Sequence, residues 1–358
     1  MQAVIRRNGK LIVDQMADLT AGPGQMLVKT LVCGICGSDL HALDHYDHMI
    51  DLSSGMGGIS QMRKGQDTVF GHEFCCEVLE SGPETQGLFK AGDHVVSVPI
   101  VQTASGMASV GYSSDLPGGF AQHMLLSEML CLKVPNGLDP NHAALTEPLA
   151  VGEHAVAMGE PEADHVHMVI GCGPVGLAVI ASLKARGLGP VIASDYSPVR
   201  RAAAETMGAD VVIDPAVASP QASWSAYGVP GTRAEAMFAQ MQGQSVKRPL
   251  VYECVGAPGV LQALALAAPA GTRIVVAGVC METDHFEPLL FITKEIQLRF
   301  VLGYSREQFA ATLDLLAEGR TNYSQVVTDV VTLAQTPAAF VKLQTDKSQI
   351  KILVAPNR

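Results

Sequence analysis

Val166-His167-Met168-Val169-Ile170-Gly171-Cys172-Gly173-Pro174-Val175-Gly176 decides the fold of half this chain. Val166–Gly171 is a short apolar run that reads as a buried strand, and Pro174–Arg186 reads as a helix. A G-x-G-x-x-G element between a strand and a helix is a dinucleotide-binding turn. Gly171 permits the tight turn, Gly173 lets a pyrophosphate reach the backbone, and Gly176 lets helix pack on strand. With Pro174 and Val175 they form a loop whose unpaired N–H groups and helix dipole favour phosphate. Asp195, at the end of the next expected strand, Val191–Asp195, is placed to accept hydrogen bonds from both ribose hydroxyls of NAD. Its carboxylate would repel a 2′-phosphate, so NAD is expected over NADP. Arg200 and Arg201 are the residues through which NADP would instead be accommodated.

Outward from this loop, strands and helices alternate. A helix over Pro198–Met207, a strand over Leu250–Glu253, a helix over Gly259–Ala267 and a strand over Arg273–Ala277 imply a parallel, doubly wound sheet. The stretch Asp214–Pro249 is irregular, holds the only tryptophan, Trp224, and includes a helix around Ala234–Gln242. After Gln297–Leu302, the helix Arg306–Gly319 and the strand-like tail Gln349–Val354 do not extend the sheet, and the tail is a candidate to return to the first domain. On the N-terminal side the character changes near Leu145. Met26–Val32, Phe74–Glu80, His94–Pro99 and Gln122–Leu126 are short strands divided by Gly and Pro breakers, the pattern of a compact β domain of barrel type. The fold class is therefore α/β, with a β-rich N-terminal domain and a Rossmann sheet.

A chain of 358 residues can build two such cores. Its formal net charge of −11, without a dense Lys/Arg run, excludes nucleic acid and anionic membrane as expected partners. No apolar run reaches the roughly 18 residues of a membrane span. The N-terminus has no secretory pattern, so a cytoplasmic location is expected. The eight cysteines then read as reduced thiols. Cys33 and Cys36 match the C-x-x-C redox spacing, but Cys33 reads as strand packing and only Cys36 as functional.

Two polar clusters stand out in the first domain, Cys36-Gly37-Ser38-Asp39-Leu40-His41 and Gly71-His72-Glu73. Thiolate, imidazole and carboxylate are the ligand types of a catalytic zinc that keeps one position open. A further acid, Glu147, lies where the β domain meets the parallel sheet, near an expected interdomain cleft.

Gly34–His41, Gly71-His72-Glu73, Ala91-Gly92-Asp93-His94-Val95, Glu147-Pro148-Leu149-Ala150 and Gly171–Gly176 together resemble the zinc-containing branch of the medium-chain dehydrogenase/reductase family. Glu147-Pro148-Leu149 is closer to the polyol, butanediol and threonine dehydrogenases than to the liver-type alcohol dehydrogenases. The resemblance implies a GroES-like catalytic domain, residues 1–147 and 297–358, and an NAD-binding Rossmann domain, residues 148–296. It implies that Cys36 and His72 bind zinc, that Glu73 is a ligand or a nearby acid, and that Glu147 is the fourth ligand or holds the water that is. It gives Asp39 the second nitrogen proton of His72, places Ser38 on the substrate oxygen, and continues the proton path through His41. It further implies that Lys351 reaches the cofactor pyrophosphate. The reaction implied is reversible transfer of a hydride between NAD and a secondary alcohol, diol or polyol, with zinc lowering the hydroxyl pKa. Small alcohols and carbonyls are the expected partners, in a homodimer or homotetramer expected to join through the strand around Gln297–Leu302. Two alternatives are a zinc-free NADPH-linked quinone or enoyl reductase on the same fold, and a non-catalytic nucleotide-binding protein. Retention of Cys36, Asp39, His72, Glu73 and Glu147 disfavours both.

Two departures from the family pattern stand out. Ser97–Gly119, where relatives carry four cysteines for a structural zinc, has none, so one zinc per subunit is expected. The stretch Ala42–Phe70 is longer than the family norm and reads as a long loop that shapes the substrate pocket or acts as a lid. It carries His45 and His48, which read as a solvated pair rather than a second metal site, and the small-residue run Ser53–Gly58.

Overall fold

A computed structural model of the chain describes residues 1–56, 60–104, 106–135 and 137–358. It divides into two compact units: residues 1–147, 309–320 and 327–358 form the first, residues 148–308 and 321–326 the second.

The first unit begins with a hairpin of β1 (Gln2–Arg7) and β2 (Lys10–Gln15), followed by the long strand β3 (Gln25–Gly34). Helices α1 (Gly37–Asp44) and α2 (Tyr46–Met56) come next, then β4 (Glu73–Ser81) and β5 (His94–Ser97). A second hairpin, β6 (Ile100–Thr103) with β7 (Gly106–Ser109), precedes β8 (His123–Ser127) and β9 (Cys131–Lys133). Helix α3 (Pro140–Ala143) leads into α4 (Thr146–Gly159).

The second unit is a six-stranded, all-parallel sheet of β10 (His165–Ile170), β11 (Val191–Ser194), β12 (Val211–Ile213), β13 (Arg248–Glu253), β14 (Arg273–Val276) and β15 (Gln297–Phe300). The spatial order is β12-β11-β10-β13-β14-β15, the 3-2-1-4-5-6 order of a doubly wound sheet. Its helices include α5 (Pro174–Ala185), α6 (Pro198–Thr206), α7 (Arg233–Met241), α8 (Val260–Ala267) and α9 (Pro288–Lys294). Val166 and Met168 of β10 pack with Ile192, Val251 and Ile274 under Trp224, Leu261 and Leu264. The irregular stretch around Trp224 thus supplies part of one core face.

The chain returns to the first unit through β16 (Val327–Val331) and β17 (Lys351–Val354). β17 pairs antiparallel with the end of β3, Leu353 opposite Gly34 and Val354 opposite Cys33. The resulting sheet runs β16-β17-β3-β4-β5-β9, with β8 also paired to β3. Phe120 meets Phe340 edge to face in its core, ring centres 5.8 Å apart.

Two expectations are corrected here. The return does not begin at residue 297: Gln297–Phe300 hydrogen-bonds to Arg273–Val276 as the sixth parallel strand, and the second unit runs on to Gln308. Nor is Ala42–Phe70 one long loop, because α2 fills Tyr46–Met56. Tyr46 anchors it: its ring lies 3.6 Å under the Arg6 guanidinium of β1, and its hydroxyl bonds Thr68, which bridges to Arg6, at 2.6 Å, a cation–π contact and a buried hydrogen bond. Gly57 and Gly58 of the small-residue run lie outside the described residues. Among the described residues no helix is long and apolar enough to cross a membrane.

The face of β10 opposite Met168 carries His165 and His167. His167 is wholly buried, its ring stacked on Tyr252 at 6.3 Å, and neither ring nitrogen has a hydrogen-bond partner. Burial, reinforced by His165 and Lys184, lowers its pKa from 6.5 to about 4. A depressed histidine pKa means that stability is full above 6.5 and falls as the pH drops toward 4, because the unfolded chain binds the proton first. The loss at pH 4 is about 3 kcal/mol from this group. In His167→Leu, the stability difference between pH 7 and pH 4, read by urea unfolding, is expected to shrink by about that amount.

Candidate active site

β3 delivers the chain to Cys36, which caps α1 in an extended conformation. The Cys36 N–H donates to Asp39 Oδ2 at 2.9 Å, so the third residue of the helix reaches back and fixes the position of the thiol. Asp39 is completely buried. Its other oxygen lies 3.4 Å from His72 Nδ1, which has no hydrogen bond of its own in the structure. Ser38 and His41 follow at i and i+3 on the same helix, one turn apart on one face. His45 continues that row just past the helix, its ring centre 6.5 Å from that of His41. Burial, with help from His45, lowers the His41 pKa, so its imidazole is neutral at pH 7.

Gly71-His72-Glu73 enters β4 against the end of β3. Gly71 has φ +100°, and a Cβ there would come within 2.9 Å of both Cys33 Sγ and Phe120. The glycine therefore allows the close backbone approach that sets His72 and Glu73 beside Cys36. Gly34 has a matching reason, since a Cβ on it would overlap the Glu73 carboxylate. Ligand atoms of Cys36, His72 and Glu73 lie within 4.8 Å of one another, the only such group of potential metal ligands among the described residues.

Glu73 has a partner that its motif does not reveal. Lys351 Nζ lies 2.7 Å from both Glu73 oxygens and 3.0 Å from the Ile35 carbonyl, with both side chains 1 % exposed. These bonds occupy the donors of the ammonium group. The expectation that Lys351 grips a pyrophosphate is thereby corrected: it is a buried counter-charge to Glu73. Glu147, 8 % exposed at the start of α4, is not one of the three clustered ligands, but its charge acts on Lys351.

Tyr112 is the site residue that sequence reasoning missed. Its hydroxyl donates to Ser38 Oγ at 2.8 Å and stands 3.5 Å from Asp39 Oδ1. Its ring centre is 5.3 Å from that of His72. Burial pushes the phenol pKa well above its usual range, so it stays a protonated donor. Tyr112 lies in the segment without a cysteine motif, and nothing in its local sequence marks it.

The glycine loop of the second unit has the geometry that a dinucleotide requires. Gly171 has φ +89°. A Cβ on Gly176 would overlap the Gly171 carbonyl, whereas a Cβ on Gly173 would meet nothing within 4 Å, leaving open space at the position assigned to pyrophosphate. Pro174 and Val175 open α5 directly after Gly173. Asp195 braces the loop, accepting from Cys172 N at 2.8 Å and Ser197 N at 2.7 Å. Arg200 lies in the first turn of α6. Arg201 bonds the Asp195 and Tyr196 carbonyls, both at 2.8 Å, and pairs with Asp214 at 2.9 Å.

This geometry can be set beside known proteins. Residues 22–136 match the family profile described as "Alcohol dehydrogenase GroES-like domain", and residues 174–318 that described as "Zinc-binding dehydrogenase". The chain is 31% identical over 368 residues to (R,R)-butanediol dehydrogenase of Bacillus subtilis, covering all of both chains. The protein belongs to the zinc-containing alcohol/polyol dehydrogenase family. Human sorbitol dehydrogenase is 26% identical, with 95% of this chain and 91% of that one covered. The crystal structure of 2R,3R-butanediol dehydrogenase from Bacillus subtilis superposes with a TM-score of 0.77 at 30% identity, covering 99% of each chain. As a member of this family the protein is an oxidoreductase acting on CH–OH groups.

The Glu73–Lys351 pair gives a prediction independent of catalysis. Removing one partner of a buried pair strands the other charge, at a cost of about 3–5 kcal/mol. Lys351→Met is expected to lose that much in urea unfolding, and Lys351→Met with Glu73→Gln is expected to recover most of it.

Proposed function

We propose that the protein oxidises a secondary alcohol, vicinal diol or polyol to the carbonyl, reversibly, with NAD and a single zinc. The observation that carries this reading is the convergence of Cys36, His72 and Glu73 beside Ser38. Cys36 and His72 would hold the metal. Nδ1 of His72 faces Asp39, which leaves Nε2 as the nitrogen for the ion. Glu73 and Glu147 are the carboxylates available to complete the shell directly or through water, with Lys351 balancing their charge. A zinc bound there would act as a Lewis acid on the substrate oxygen, and the nicotinamide would take up the hydride.

The chain's own residues manage the proton. Ser38 accepts it from the substrate hydroxyl, and His41, neutral near pH 7, takes it one helical turn further on. The acid limb of kcat/KM is therefore expected below pH 6.5, where His41 becomes protonated. Asp195 favours NAD over NADP, and Arg201 is already committed to two carbonyls and Asp214. The diol and polyol classes are favoured by the relatives named for butanediol and sorbitol.

A homodimer or homotetramer is part of the same proposal. Among the described residues β15 ends the parallel sheet with one edge unpaired; its last residue, Phe300, is 66% exposed, and Leu302 just beyond it 89%. Leu302→Asp is expected to reduce the particle mass in light scattering if copies join along this edge.

Elemental analysis of wild type and Cys36→Ala, with an NAD-coupled screen of diols and polyols, tests the central claim. About one zinc per chain, lost together with turnover in the variant, is the expected result. Zinc-free wild type, or a variant with undiminished turnover, would sink the proposal in favour of the zinc-free reductase.

A further inference from the structure

A serine hydroxyl has one proton to give and two lone pairs to receive with. In this protein one lone pair of Ser38 is already taken, since Tyr112 donates to Oγ at 2.8 Å. We infer that Tyr112 is a positioning residue for proton transfer: its hydroxyl fixes the rotor of Ser38, so that the remaining lone pair faces the substrate hydroxyl and the Ser38 proton is directed along α1. The inference rests on the alcohol-oxidation reading above and adds a residue to it.

Three features support the assignment. Tyr112 is a donor with a choice of two acceptors, and the geometry favours the serine over the carboxylate, 2.8 Å against 3.5 Å. Its ring packs near two others, His72 at 5.3 Å and Phe70 at 6.3 Å between ring centres, so the hydroxyl is aimed rather than free. Its backbone is anchored as well: Tyr112 N bonds the Ser109 carbonyl at 3.3 Å, and its own carbonyl accepts from Gln61 N at 2.9 Å.

The step balances without another reagent. With a bound nicotinamide to take the substrate C–H electron pair as hydride, the substrate O–H proton would move to Ser38 Oγ, and the original Ser38 proton would move on to His41. His41 becomes an imidazolium and releases a proton to solvent. Tyr112 keeps its own proton throughout. Its hydrogen bond strengthens while Oγ is partly stripped of its proton, so it stabilises the transfer more than the bound substrate. In the carbonyl-reducing direction the same bond makes Ser38 the better donor.

Tyr112→Phe keeps the ring and removes only the donor. The expected result is a kcat about tenfold lower, the value of one hydrogen bond made mainly in the transition state, with KM for the diol little changed. The same substitution in a Ser38→Ala background is expected to cost nothing more, because Tyr112 then has no oxygen to act on. Zinc content and NADH binding by fluorescence are expected to match the parent in every variant.

Equal kcat losses in both backgrounds, a rise in KM alone, or loss of zinc from Tyr112→Phe would each overturn the role. The first would mean that Tyr112 acts without Ser38, the second that it only walls the pocket, the third that it supports His72. If the wild type oxidised no alcohol while binding zinc and NADH, the functional reading itself would fall and this role with it. An active wild type with additive losses would remove this role alone.

Discussion

A buried charge must find a partner, and in this protein that requirement joins residues 73 and 351. Transfer of a lone carboxylate or ammonium into a low-dielectric interior costs several kcal/mol even after relaxation. Glu73 and Lys351 escape this only together, each 1 % exposed, with the Ile35 carbonyl as a further acceptor. The pair requires β17 to lie against the end of β3. It thereby holds Gly34 and Ile35, the residues leading into Cys36, and the carboxylate next to His72. One member of the candidate ligand cluster, Glu73, is thus held in place by a lysine that is not itself in the cluster.

Asp39 does for hydrogen bonds what that pair does for charge. One oxygen orders the first turn of α1 through the Cys36 N–H, and the other faces His72. Tyr112 adds a bond to Ser38 and stands close to the same Asp39 oxygen. The candidate ligands Cys36 and His72 and the Ser38 hydroxyl therefore share one buried scaffold. In the second unit Asp195 has a comparable double duty. It braces the glycine loop through Cys172 N and is also the residue proposed to accept from the ribose.

The parts legible in sequence were those whose cause is local. Strand, glycine turn and helix at Val166–Arg186 are set by residues within one turn of each other, and β10 and α5 fall close to their expected limits. Cys36, His72 and Glu73 were readable as chemistry and as family motifs, and the structure brings them together. What escaped depends on distant residues. Nothing near Lys351 announces a carboxylate 278 positions earlier, and the family resemblance alone points it at a pyrophosphate. Tyr112 acquires its meaning only when the hairpin region lies over α1. β15 is a four-residue, half-exposed strand, and its place in the sheet comes from pairing with β14 rather than from its own pattern. α2 was hidden because Tyr46 stabilises it through Arg6, forty positions upstream.

The split first unit bears on how the protein is made. Ribosomes add about 5–20 residues per second, so the separation of 278 positions from Glu73 to Lys351 represents roughly 15–55 s of synthesis. During that interval the nascent chain carries Cys36, His72 and Glu73 without the lysine that neutralises the cluster or the strand that seals it. The glycine-loop unit, encoded in between, can complete its sheet first. The order of synthesis thus lets the parallel-sheet unit form before the candidate metal site is complete, and the last strand to emerge is the one that finishes the first unit begun.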